Sequence, residues 1–300
     1  MRSLHKGIGV VLSAAFVTAL ACSRADPKPV TGTVPVEQVV PMSSCDELVV
    51  PPPPNLPPDG TPVWERRTSS PSPPARVHHA LAYDAARGVT LLFGGTGYDL
   101  GYQTLNDIWV WDGDEWHQLY PDTSPSGRNG HALAYDSDRQ RVVLFGGSDG
   151  NGSLNDTWVW DGNGWHQLYP DTSPPARSHH ALAFDSARGR VVLFGGSGSG
   201  GLLNDTWEWD GNEWHEVHPD TKPPARSEHA LAYDAARGKV VLFGGSAGPG
   251  LPVNDTWEWD GTDWQEVVPS TRPCLFRGHA LAYDDARKKV VLFGGQFTAD

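Results

Sequence analysis

The chain has 300 residues, a formal charge of −13, 38% hydrophobic residues, and 34 Gly and 26 Pro. That length suits one large repeat domain or two ordinary ones, and the hydrophobic share is enough to bury a core. The acid is spread along the chain rather than gathered in a tail, and an acidic surface repels phosphate backbones, so there is no electrostatic case for nucleic-acid binding.

The N-terminus reads as a targeting segment. Arg2 and Lys6 precede an apolar stretch, Ile8 to Leu20, that is too short for a stable membrane span. It ends in Ala19-Leu20-Ala21-Cys22, so residues 1–21 are expected to be a signal peptide. Two readings stay open. The Ala-x-Ala pattern fits ordinary signal-peptidase cleavage. The small residue before Cys22 resembles a bacterial lipobox, which would lipidate the Cys22 thiol, although Ala19 stands where Leu is usual. Either places the protein in the bacterial cell envelope, as an outer-membrane lipoprotein or as a secreted or periplasmic protein. Membrane contact is expected through the lipid anchor only.

Residues 22–60 contain Pro51-Pro52-Pro53-Pro54 and Pro57-Pro58 and no aromatic residue, which fits a semi-rigid, extended tether or an ordinary disordered secreted N-terminus, with the tether as the expectation. Cys45 and Cys274 are the two remaining cysteines, a candidate disulfide in an oxidising compartment.

From residue 61 to 300 the chain repeats with a period near 50 residues. HALAYD or a close variant begins at His79, His131, His180, His229 and His279. LFGG ends at Gly95, Gly147, Gly196, Gly245 and Gly295. Asn-Asp-x-Trp begins at Asn106, Asn155, Asn204 and Asn254. Such a period belongs to a propeller blade rather than a helical repeat. Each unit predicts four strands. His180 to Asp185 alternates, and Arg190 to Phe194 is a β-branched run ending in Gly195-Gly196. Thr206-Trp207-Glu208-Trp209 puts two indoles on one face. Asp210-Gly211 signals a hairpin into Trp214 to Val217. The 13 Trp fall into this scheme, three in each of four units plus Trp64, so each is expected to pack blade against blade.

These motifs resemble kelch repeats: a hydrophobic strand ending in Gly195-Gly196, then Trp209, then Trp214, with equivalents in the other units. The aromatic-to-Trp step is five residues here, shorter than the family's usual seven, which we read as a tighter hairpin. The resemblance covers about Trp64 to Gly295. It implies an all-β, kelch-type β-propeller with four complete four-stranded blades. A fifth, split blade would be incomplete, because His279 to Gly295 is followed by no Asn-Asp-x-Trp strand. The expected domain therefore spans 61–300, truncated at its C-terminus or closed imperfectly by N-terminal residues. In the closed case a Cys45–Cys274 bridge would staple the ring.

Function does not follow from this fold, since kelch members range from protein-binding scaffolds to a copper oxidase and a sialic acid epimerase. The resemblance makes the first strand innermost. Arg76, Arg128, Arg177, Arg226 and Arg277 would then ring one mouth of the channel with His79, His131, His180, His229 and His279. Two readings apply to this ring: an anion or metal site on the axis, or bonds to loop backbone and neighbouring acids repeated in every blade. No Gly-x-Ser-x-Gly or His-Glu-x-x-His motif occurs, and no catalytic, cofactor-binding or metal residue is assigned. The blades vary most in the loops after Gly-Gly: Thr96 to Leu105, Ser148 to Leu154, Ser197 to Leu203 and Ser246 to Val253. Variable loops on a rigid scaffold are where binding is usually placed. The expected function is a binding scaffold for a protein or glycan. The alternative is a carbohydrate-directed enzyme on the same fold.

Overall fold

A computed structural model describes residues 69–98, 101–248, 251–270, 273 and 276–297. The signal peptide, the tether, Trp64, Cys22, Cys45 and Cys274 lie outside the described residues, and so do the cleavage, lipidation and disulfide expectations attached to them. Among the described residues every regular element is a β-strand.

A short strand β1 (Arg76–Val77) leads into the first blade. That blade is β2 (Ala80–Asp84) and β3 (Val89–Phe93), then β6 (Ile108–Trp111) and β7 (Trp116–Leu119), with the small hairpin β4 (Thr96–Gly97) and β5 (Gln103–Thr104) between them. The second blade is β8 (Ala132–Asp136), β9 (Arg141–Phe145), β10 (Thr157–Trp160) and β11 (Trp165–Leu168). The third is β12 (Ala181–Asp185), β13 (Arg190–Gly198), β14 (Gly201–Trp209) and β15 (Trp214–Val217). The fourth is β16 (Ala230–Asp234), β17 (Lys239–Phe243), β18 (Thr256–Trp259) and β19 (Trp264–Val267). Each is a four-stranded antiparallel meander in chain order. A fifth sheet pairs β20 (Phe276–Asp284) with β21 (Lys289–Phe297). The fold is the expected all-β kelch-type propeller: four complete blades and an incomplete fifth, not closed into a ring among the described residues.

Period-two alternation explains the stacking. In the third blade Trp207, Trp209 and Trp214 share one face with Leu182, Val191 and Leu193. That face meets Ala132, Ala134, Val143, Phe145 and Val159 of the second blade. The same arrangement joins the first blade to the second and the third to the fourth. The outermost hairpin is short because Trp209 stands directly opposite Trp214, and the same holds for Trp259 and Trp264. Their ring centroids are 5.4 and 5.5 Å apart. Phe145 then meets Trp214 edge-on at 5.1 Å, and Phe194 meets Trp264 at 5.2 Å, across the blade boundary. Trp209 and Trp259 are 0% exposed. Truncating a core indole of this kind costs about 3–5 kcal/mol. The expectation that these Trp pack blade against blade describes their surroundings.

Polar detail varies at these boundaries. Trp214 Nε1 donates to Thr157 Oγ1 at 3.0 Å, and Trp264 Nε1 to Thr206 Oγ1 at 2.9 Å. The first blade carries Ile108 in place of that Thr, and the buried Trp165 Nε1 has no hydrogen-bond partner.

Candidate functional site

The first strand of each blade starts at one end of the propeller, and the loop after Gly-Gly leaves from that same end. Two concentric sets of residues form there.

The deeper set contains the recurring Arg. Arg177 Nη1 and Nη2 donate to the two carboxylate oxygens of Asp205 at 2.7 and 2.6 Å. Nη1 also reaches the Gly195 carbonyl at 3.0 Å, and Nε reaches the Pro175 carbonyl at 2.9 Å. Trp207 Nε1 donates to the same carboxylate at 2.8 Å. One guanidinium thus ties the lead-in to the first strand, the exit of the second and the start of the third, using the planar fork that Lys lacks. The pairs Arg76–Asp107, Arg128–Asp156 and Arg226–Asp255 repeat it. The four Arg side chains are 0–3% exposed. Burial alone would push the Asp205 carboxyl up. The hydrogen bonds and charge of Arg177, with the Trp207 N–H, outweigh burial and hold it below the ordinary value. The same balance holds at Asp107 and Asp255. Arg277, whose repeat carries no Asn-Asp-x-Trp, instead lies 3.8 Å from the Glu228 carboxylate.

The recurring His are also interior. His131, His180, His229 and His279 are buried, and His79 is partly so. Each of the four buried rings lies edge-on against a Phe of the preceding blade, with centroids 5.3–5.5 Å apart. His279 Nε2 donates to the Phe243 carbonyl at 3.0 Å. Burial lowers the pKa of His131 and His229 to about 3 and of His79 to about 4, and lowers His180 well below the usual range. The Gly-Gly pair exists for this crowding. A Cβ on Gly195 would sit 2.8 Å from the Arg226 carbonyl and 3.2 Å from the His229 ring. One on Gly196 would sit 2.8 Å from the His180 Cβ.

The second set lies one residue earlier, at His78, Gly130, His179, Glu228 and Gly278; His78 and Gly278 are exposed, His179 and Glu228 half-buried and Gly130 buried. All five take left-handed φ, from 54° to 65°, a region costly for residues with side chains. A line of backbone bonds fixes them. Gly130 N–H donates to His78 O, His179 N–H to Gly130 O, Glu228 N–H to His179 O and Gly278 N–H to Glu228 O, at 2.6–2.9 Å. This position differs between neighbouring blades, whereas the Arg and His around it do not.

Beside it stands the first post-Gly-Gly loop, built as the sheet β1-β4-β5. It presents Tyr98 and Tyr102 with ring centroids 5.3 Å apart, in an edge-to-face pair. They are 45% and 73% exposed. Tyr120 and Tyr169, just past β7 and β11 at the same end, are each 81% exposed.

The family model described as the KLHDC2/KLHL20/DRC7 Kelch-repeats domain matches residues 60–183 and 163–300. The chain belongs to the kelch-repeat family. Kelch repeats generally serve as scaffolds for protein interaction, and this kelch propeller presents its sequence-variable loops and the exposed Tyr98, Tyr102, Tyr120 and Tyr169 at one end. A search of curated proteins finds no match to the chain.

The sequence directed attention to this end through the Arg and His repeats and through the loop Thr96 to Leu105, which holds the Tyr pair. It did not single out His78, Gly130, His179 and Glu228. Their signal is that they differ directly beside a constant His, and a search for recurrence passes over such positions.

Proposed function

We propose that the protein is an exported binding scaffold of the bacterial cell envelope. Residues 1–21 are removed, Cys22 carries the lipid, 22–60 form the tether, and the kelch propeller binds a protein partner at the end that carries the variable loops. The observation that supports this most is the Tyr98–Tyr102 pair. Large rings standing in solvent on the post-Gly-Gly loop of the first blade, with no counterpart on the other three loops, are unneeded for packing, and tyrosine is enriched at the centres of protein interfaces. The tyrosines Tyr120 and Tyr169 extend the same surface towards its rim.

The test is cross-linking capture from an envelope fraction with the wild-type protein and a Tyr98→Ala/Tyr102→Ala double variant. A partner held by the wild type should be lost by the variant, with each ring costing at least tenfold in affinity, as anchors of this kind do. Equal capture by both would sink the assignment. Exposed Tyr faces also stack on sugars, so a glycan array probed with the same two proteins checks the glycan reading. For the anchor, Cys22→Ala should release the protein from membranes; retention in the membrane fraction would exclude lipidation at that thiol.

A further inference from the structure

His78 and His179 belong to blades one and three, yet their rings meet. His179 Nε2 lies 3.3 Å from His78 Nδ1, the rings are 85° from parallel, and their centroids are 4.9 Å apart. Gly130 of the intervening blade makes this contact possible. A Cβ there would stand 3.0–3.1 Å from three atoms of the His179 ring. Left-handed φ is not what requires glycine at this position, because His78, His179 and Glu228 hold the same φ with full side chains. Space for the imidazole requires it.

The separation of the two nitrogens carries chemical information. At 3.3 Å the two nitrogens are close enough to share a ring proton, and the same separation lets them share an ion in its place. Two imidazole nitrogens bound to one tetrahedral ion at the usual zinc–nitrogen distance lie about 3.3 Å apart. Neighbouring nitrogens on an octahedral ion at that distance lie about 2.9 Å apart. The second nitrogen of His179 is also engaged: Nδ1 lies 3.2 Å from Ser178 Oγ, and Ser178 is 8% exposed. A proton on Nδ1 donated to that hydroxyl leaves the Nε2 lone pair facing His78, which is how metal-binding histidines are usually oriented.

We propose that His78 Nδ1 and His179 Nε2 form an open, tetrahedral site for a zinc-class divalent cation at the mouth of the propeller. Among the described residues no cluster of three metal-ligating side chains occurs. Two positions of the tetrahedron therefore fall to solvent or to donor atoms of an incoming ligand.

The test uses the mature protein and cobalt(II) as a spectroscopic stand-in for zinc, with a His78→Asn/His179→Asn variant as the baseline. Asparagine tolerates left-handed φ, so the line of backbone bonds survives the change. Cysteines and the surface histidines are common to both proteins and cancel. The wild type should bind one more equivalent than the variant, with the intense visible absorption of tetrahedral cobalt(II), and zinc should displace it. Gly130→Ala keeps both imidazoles but crowds His179 and should weaken binding at least tenfold. Circular dichroism verifies folding of each variant. Equal stoichiometry in wild type and double variant, a weak six-coordinate spectrum, or undiminished affinity in folded Gly130→Ala would each overturn the proposal.

Discussion

Two sets of residues at one end of this propeller are separated by a single position in the chain and obey opposite rules. The buried set, Arg128, Arg177 and Arg226 with His131, His180 and His229, is the same from blade to blade, and its polar groups are turned inward. The set just before each His reads His78, Gly130, His179, Glu228 and Gly278, with no two neighbouring blades alike. Each set keeps its own backbone geometry from blade to blade, so the contrast lies in the side chains. Where a side chain is consumed by internal bonds, as the Arg are, or by packing against a Phe, as the His are, the repeat constrains it. Where it looks into the mouth, each blade is free to differ. Within a symmetric scaffold, broken symmetry locates the chemistry.

The sharpest way to break that contrast is to orphan a buried charge. Asp205→Ala leaves the Arg177 guanidinium, 0% exposed, without its carboxylate. Removing one partner of a buried pair costs about 3–5 kcal/mol. Urea unfolding should show a loss of that size, with Arg177→Ala similar and Arg177→Lys only partly tolerated, since an ammonium cannot span the Asp205 carboxylate and the Gly195 and Pro175 carbonyls together. A loss under about 1 kcal/mol would mean that the Arg–Asp clamp is not what holds these loops.

Acid should act on the buried set next. His131 and His229 titrate near 3 in the fold, His79 near 4, and His180 well below its usual value. Above pH 6.5 these rings are neutral whether the chain is folded or unfolded, and they contribute no pH dependence. Below pH 6.5 the unfolded chain takes up protons that the folded one refuses, so stability falls as pH falls. Each such His contributes up to about 1.4 kcal/mol per pH unit down to its folded value. Urea unfolding from pH 6.5 to 4.5 should therefore lose several kcal/mol. The carboxyls of Asp107, Asp205 and Asp255 are held low, and their share is lost only below that window. A flat profile from 6.5 to 4.5 would show that the rings are more hydrated than their packing against Phe93, Phe145 and Phe194 indicates.

A smaller effect separates neighbouring blade boundaries. Thr157→Ile gives the second-to-third boundary the chemistry of the first-to-second, leaving Trp214 Nε1 as bare as Trp165 Nε1. An orphaned buried donor costs about 1–3 kcal/mol, part of which the added apolar surface returns. The expected net loss is about 1 kcal/mol in the urea midpoint. No change would mean that water already serves both indoles.

The sequence exposed much of this architecture because repetition multiplies a weak local signal. The strand pattern, the placement of the Trp and the Asp-Gly hairpins were legible from four aligned copies. Arg177 and Asn204-Asp205 were both visible as recurring residues. Their pairing was not, since 28 positions separate Arg177 from Asp205 and only the folded blade brings them together. Gly195-Gly196 was legible as a signature, but the reason for it, a carbonyl and an imidazole arriving from the next blade, belongs to stacking. His78 and His179 are 101 residues apart, and what joins them is the side chain that Gly130 lacks. No local pattern carries that relation.

The mouth positions should give the smallest stability change of all, and that is what makes them informative. His78 is exposed and His179 is only partly buried. Replacing both by Asn keeps a residue that accepts left-handed φ and leaves the line of backbone bonds from His78 to Gly278 in place. Surface changes of this sort stay within about 0.5 kcal/mol. The double variant should therefore unfold with the wild type in urea while losing its extra equivalent of cobalt(II). If it unfolds much earlier, the two imidazoles are structural and belong with the Arg and His beneath them. If it matches the wild type in stability and loses the ion, packing and chemistry have been separated at adjacent residues of one repeat.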